Sequence, residues 1–311
     1  MTADHRLAAR LSLVGSAALF STGGAAIKAC TLTGWQVASL RSAVAAFVLV
    51  ALLPAARRIR DPRVWLVAVA YAGTLITFVR ATKLTTAASA IFLQSAAPLY
   101  VMLLGPLLLR ERVHRRDLGF MAAFALGLAL LLSGTAAPLS TAPDPGQGNR
   151  LGILSGALWA LTLVGLRAMA RRDADAAVSA VAVGNVFASL AALPFALPLS
   201  HVGMADLLVI VYLGAIQIGL AYALLVRGMR EVAALEASLI LLVEPVLNPL
   251  WAWILHEELP EAIALVGGAV ILGTTGLMAW RGGNRASREG NTRGNDVGGG
   301  RAVDPRGAAP P

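Results

Sequence analysis

The most chemically demanding residue in this 311-residue chain is a carboxylate set in the middle of an apolar run. Glu244 lies eleven residues into Ala233–Leu255, whose only other charge is Glu236. At 1.5 Å per helical residue this is roughly 16 Å from the start of the run, the midplane of a ~30 Å hydrocarbon core. An ionised carboxylate there costs about 2.5–3.5 kcal/mol on insertion scales. Two kinds of chemistry fit such a group: it titrates during a transport cycle as a proton carrier, or it neutralises a cationic group of a substrate. The structural alternative is a carboxyl kept protonated or paired with an arginine. Asn248 follows four residues later on the same helical face and Glu236 precedes by eight, so the three draw one polar stripe. Pro245 removes a backbone hydrogen bond, kinks the helix and frees the carbonyl of Leu241 for a ligand, a water or a neighbouring helix.

Arg41 is the other charge set deep in an apolar run, seven residues into Gly34–Pro54 and about 10 Å from its start. It either binds a substrate carboxylate through its two-pronged guanidinium or pairs internally with Glu244 or with helix-end carbonyls. Trp159, Gln94, Tyr222, Gln217 and Asn185 are further polar or amphipathic groups inside apolar runs. One or two of them suit a pathway lining, although most intramembrane amides serve helix contacts. Tyr71, Tyr100 and Tyr212 read as packing or interface residues. Metal chemistry finds no ligands: the four histidines are scattered, and Cys30 stands alone, which excludes a disulfide as well. Gly-x-Ser, His-Glu-x-x-His, Gly-x-Gly-Asp and Asp-Asp-x-x-Asp are all missing, which argues against a membrane enzyme, and without a Walker lysine motif transport would draw on gradients rather than ATP. No cofactor is expected.

The elements that must position these groups follow from composition. Hydrophobic residues make up 57% of the chain with 31 glycines besides, and only 14% is charged, against roughly 25% charged in soluble domains. Such a chain needs a lipid bilayer around it. The charges separate ten apolar runs, spans 1 to 10: Leu11–Ile27, Gly34–Pro54, Val64–Val79, Thr86–Leu109, Leu118–Thr135, Leu151–Leu166, Ala176–Leu199, Leu207–Val226, Ala233–Leu255 and Ala262–Trp280. The shortest end at Lys28, Arg80 and Arg167, whose stems can snorkel to the interface. With a cytoplasmic N-terminus, 21 Lys and Arg fall on the inner side and four on the outer. The positive-inside rule then places both termini in the cytoplasm. This bias accounts for the net charge of +9 without a nucleic-acid partner. Met1–Arg10 and the run after it resemble a secretory signal, but nine further spans make a retained first helix the better reading.

The second half repeats the first. A slide of 147 aligns Val79-Arg80 with Val226-Arg227, Ala87 with Ala234, Pro98 with Pro245 and Glu111 with Glu258. A slide of 139 aligns Ala18-Leu19-Phe20 and Lys28 with Ala157-Leu158-Trp159 and Arg167. Each copy holds five spans, an odd number, so the second crosses the membrane in the opposite sense. Inverted repeats of this kind build secondary transporters, with the site near the midplane. The stripe of Glu236, Glu244 and Asn248 corresponds to Ser89, Ala97 and Val101 in span 4, so its charge belongs to one half. The predicted fold is therefore an all-α integral membrane protein of ten transmembrane helices in two inverted five-helix repeats. Its parts are a cytoplasmic N-terminus (1–10), a first repeat (11–135), an extracytoplasmic linker (136–150), a second repeat (151–280) and a disordered basic tail (281–311). Gly152 and Gly156 in span 6 set a close helix approach. Gly267, Gly268, Gly273 and Gly276 in span 10 suit packing or a homodimer contact.

With these marks in place the chain resembles the EamA family of the drug/metabolite transporter superfamily. Lys28 closing span 1, Arg41 in span 2, Leu84–Glu111 with Pro98, and Ala233–Glu258 with the Glu244-Pro245 pair carry the likeness. One departure is Phe20, where many members have tryptophan; here the tryptophan is Trp159 in span 6. The resemblance implies a carrier of small metabolites in the inner membrane, working by alternating access, and export of amino acids or related compounds more often than uptake. The competing readings are a non-transporting receptor or assembly protein and, further off, an integral-membrane enzyme.

Overall fold

The computed structural model describes residues 3–59, 61–108, 115–133, 138–170, 173–199, 202–229, 232, 237 and 240–298. Each of the ten apolar runs yields a helix. We number them α1 (Ala3–Ser21 and Gly23–Ala29), α2 (Gly34–Leu52), α3 (Arg63–Leu84), α4 (Ala87–Ser95 and Ala97–Leu108), α5 (Arg115–Ser133), α6 (Pro145–Ala170), α7 (Ala174–Ala196), α8 (Met204–Met229), α9 (Val243–His256) and α10 (Ala262–Gly298). Six carry a stretch long and apolar enough to cross a membrane, and α4, α5 and α10 contain shorter apolar segments. Most of the first part of span 9, including Glu236, lies outside the described residues, as does Glu111.

Local chemistry sets the ends. Thr33 caps α2 in a reciprocal box: its hydroxyl accepts from the Gln36 N–H at 3.3 Å, and its own N–H donates to the Gln36 side chain at 3.0 Å. Thr86 accepts from Ser89 N at the start of α4, and Asp173 from Asp175 N at the start of α7. Asp144 accepts from Gln147 N at 2.9 Å, with Pro145 as the first helical residue. That arrangement begins α6 six residues before Leu151, inside the segment read as linker. The last helix runs on to Gly298 rather than turning to coil at Trp280. Extending an existing helix needs no new nucleus, so the loss of apolar pattern alone does not stop it.

The halves are related as an inverted repeat, and their mutual packing shows it. α3 lies on α6 as α8 lies on α1; α3 meets α7 as α8 meets α2; α4 meets α6 as α9 meets α1. The pairs α2 with α7, α4 with α9 and α5 with α10 join equivalent elements. Without a hydrophobic driving force in lipid, close approach comes from small residues. A Cβ at Gly152 would stand 2.7 Å from Leu93, and one at Gly156 2.8 Å from the Leu93 carbonyl. Gly267 sits on the backbone of Gly127 and Gly268 on the ring of Phe92, so these two glycines pack within the chain. Phe47, Leu66 and Met204, at 72–76% exposure, belong to the outward apolar surface that lipid covers.

Three helices depart from regular geometry. α1 breaks at Thr22, whose hydroxyl bonds back to the Leu19 carbonyl at 2.7 Å ahead of Gly23-Gly24. α4 breaks at Ala96, two residues before Pro98. α8 widens to π-helix over Tyr212–Leu220, and the Ala221 carbonyl just beyond accepts from Ser16 of α1 at 2.8 Å. Helix α9 likewise starts two residues before Pro245, at Val243, after a turn at Leu242.

Candidate substrate site

Arg41 is 2% exposed on α2, and its Nη2 reaches the Leu75 carbonyl of α3 at a long 3.5 Å. Its Nε has no partner among the described residues. The guanidinium lies within electrostatic reach of two phenols, Tyr71 of α3 and Tyr222 of α8. Their rings meet edge to face at 6.1 Å. Around them stand Trp159 of α6, 6.3 Å from Tyr71, and Phe20 of α1, 5.2 Å from Tyr222. Asn185 of α7 is fully buried beside Tyr71; its Nδ2 donates to the Val181 carbonyl at 3.0 Å, and its Oδ1 has no partner. Glu244 of α9 is half-buried and lies within electrostatic reach of the same two tyrosines. A cation and a carboxyl thus converge on one aromatic layer without forming an ion pair with each other.

A second group of polar side chains gathers on the break in α1. Gln217, in the π-stretch of α8, donates to the Phe20 carbonyl at 3.3 Å and leaves its Oε1 unpartnered. Asn248 is 1% exposed and presses on Gly24: a Cβ there would be 2.5 Å from Asn248 Oδ1, which also lacks a partner. Trp251 donates to Ser21 at 2.9 Å, Tyr212 shares a hydrogen bond with Thr22 at 2.7 Å, and His256 meets the Ala25 carbonyl at 2.8 Å. Phe20 joins the two groups, its ring on Tyr222 and its carbonyl on Gln217. Buried donors and acceptors in proteins almost always find partners. Four orphans in one region, on Arg41, Asn185, Gln217 and Asn248, fit a place where a polar ligand or water completes the bonding.

The structure brings together Arg41, Trp159, Tyr222 and Glu244, with Asn248 and Gln217 beside them. Gln94 is tied to another part of the bundle: it donates to Ser155 of α6 at 2.9 Å and joins α4 to α6. Pro98 and Pro245 lie at the breaks of α4 and α9. Tyr71, read from sequence as packing, is central; its only signal there was a hydroxyl deep in an apolar span, which Tyr100 and Tyr212 share.

The end of the bundle where α1 finishes carries a different network. Lys28, at the end of α1, pairs with Glu258 at 2.8 Å, with both side chains at most 2% exposed. Asp206 of α8 accepts from Thr31 N and Thr31 Oγ1 at 2.7 Å and from Cys30 Sγ at 3.2 Å. Lys83 donates to the Cys30 carbonyl, and Arg80 lies 4.3 Å over the ring of Trp35.

Two inverted five-helix halves, broken helices and a polar cluster where the halves meet define a membrane transporter. The EamA-like transporter family model matches residues 7–133 and again 147–280. The two matches begin at the offset of the internal repeat to within one residue. The chain belongs to the EamA-like transporter family and is a multi-pass membrane transporter; this membership points away from an enzyme. A relative from Archaeoglobus fulgidus described as an uncharacterized transporter is 28% identical over 208 residues, 67% of this chain and 72% of that protein. A solved crystal structure superposes with a TM-score of 0.59 at 22% identity, covering 88% of this chain and 98% of the other, a likeness of fold.

Proposed function

We propose that this protein is a secondary active carrier of amino acids or closely related zwitterions, exporting them across the inner membrane by alternating access, with both termini in the cytoplasm. The observation that supports it is that Arg41 and Glu244 both lie within electrostatic reach of Tyr71 and Tyr222 without an ion pair between them. A zwitterion supplies what each lacks. Its carboxylate meets the Arg41 guanidinium in charge-assisted hydrogen bonds, and its ammonium meets the Glu244 carboxylate. The organic part lies against Tyr71, Trp159 and Tyr222. When no ammonium is present, a proton neutralises Glu244, which couples substrate movement to proton movement. The unpartnered atoms of Asn185, Gln217 and Asn248 add places for polar groups of the ligand or for water.

The test is counterflow in proteoliposomes with three ligands of one carbon skeleton: the amino acid, the amine without its carboxylate, and the acid without its ammonium. Saturable exchange of the amino acid with much weaker exchange of the other two is expected. Equal exchange of all three would overturn the zwitterion reading, and no flux from well-folded protein would overturn the carrier.

A further inference from the structure

The central site leaves one buried ion pair unused. Glu258 follows Glu257, a residue in the left-handed region (φ 54°, ψ 22°) that stops α9 with its N–H on the Trp253 carbonyl at 2.9 Å. That turn sends the Glu258 carboxylate back over the bundle. Oε1 accepts from the Ala87 N–H at 2.5 Å, in the first turn of α4, while Oε2 stands 2.8 Å from the Lys28 ammonium. Lys28 also donates to the Thr85 carbonyl at 2.9 Å and to the Thr141 carbonyl in the segment between the halves. One carboxylate of the second half therefore holds the end of α1 and the start of α4, both of the first half. All of these contacts lie at the outer end of the bundle as the charge bias orients it.

We propose that Lys28 and Glu258 are the outer gate of the transport cycle, closed in this structure and parted when the site opens to the outside. The inference rests on the carrier reading. Its physical basis is that alternating access requires α1 and α4 to separate from α9 at one end, and this pair joins them there. A buried pair can hold such a seam and still release it: once water enters, each ion regains the hydration it lost, so the desolvation that opposes the closed pair favours the open one. Removing a single partner leaves a buried charge without its counter-ion, which draws water in; removing both leaves a neutral seam.

The experiment uses the full chain in right-side-out vesicles, with Cys30→Ser to remove the native thiol and Ser21→Cys as reporter. Ser21 is fully buried in α1, seven residues inward of Lys28. A charged methanethiosulfonate is added from outside, and modification is timed in this background and with Lys28→Met, Glu258→Gln and both together. Monodisperse elution and an unchanged helix spectrum establish folding. Each single variant is expected to speed modification at least tenfold, and the double variant to react more slowly than either. Single-variant rates within twofold of the background, or a double variant as fast as the product of the singles, would overturn the gate. Amino-acid counterflow by the wild-type protein, measured in vesicles prepared the same way, separates the two readings. Flux without any change in modification overturns the gate alone. The expected rate pattern without flux overturns the carrier and leaves the outer closure standing.

Discussion

Gly24 offers the sharpest structural prediction. A Cβ at this position would lie 2.5 Å from Asn248 Oδ1, 3.0 Å from Asn248 Nδ2 and 3.0 Å from the Ala87 Cβ. Contacts this short force something to move, and the end of the Asn248 side chain is the softest of the three. Gly24→Ala therefore pushes the amide out of its place on the polar stripe. Overpacking a buried contact costs about 1–3 kcal/mol, or several degrees in melting temperature. Asn248→Ala by itself removes an acceptor that has no partner, so it should cost less than removing half of a formed hydrogen bond. Combined, the two changes should fit: the space vacated by the amide receives the methyl group. The double variant should melt at or above Gly24→Ala, with a coupling of about 0.5–3 kcal/mol in the cycle. Thermal unfolding of the four proteins in one detergent measures this directly. Additive losses would refute the claim that Gly24 and Asn248 occupy one space.

Other consequences can be checked alongside. Gln94→Leu loses the Ser155 bond between α4 and α6 and should lower stability by about 1 kcal/mol, while the substrate KM stays within twofold of wild type; a large KM change would return Gln94 to the site. Burial, with further upward pressure from the hydrogen bond and charge of Asp206, pushes the Cys30 thiol up to about 11. At pH 7.5 its maleimide reaction should run at least about 100-fold slower than that of an ordinary thiol and rise tenfold per pH unit toward that value, since the thiolate is the reacting form. A rate that levels off near pH 9 would contradict the buried placing.

Much of this architecture is legible from sequence for a simple reason: in lipid, a backbone must be helical or closed on itself, so apolar length and charge placement do most of the work. Pro98, Pro245 and the Ala18-Leu19-Phe20 echo at Ala157-Leu158-Trp159 were enough to reveal the repeat. The site was only half legible. Arg41, Glu244, Trp159 and Tyr222 each carry a local signal, a charge or an amphipathic ring at depth. Tyr71 does not stand out from Tyr100 and Tyr212, because its role comes from facing Tyr222 across the boundary between halves. Nor does spacing separate Gln94, a helix fastener, from Gln217, whose position depends on a π-stretch and on the break at Thr22. The Lys28–Glu258 pair joins residues 230 positions apart, and no local pattern links them. Apolar length does not mark a helix start where a cap such as Asp144 extends the helix into polar sequence.

In the proposed cycle Arg41 and Glu244 divide a zwitterion between them. This division is tested most directly by the counterflow KM of an amino acid and of its deaminated acid, in wild type and in Glu244→Gln. A hydrogen bond to a charged group contributes about 1.5–3 kcal/mol. Glu244→Gln is therefore expected to raise the amino-acid KM at least tenfold and to leave that of the deaminated acid within twofold. Equal changes for both ligands, or none for either, would contradict it.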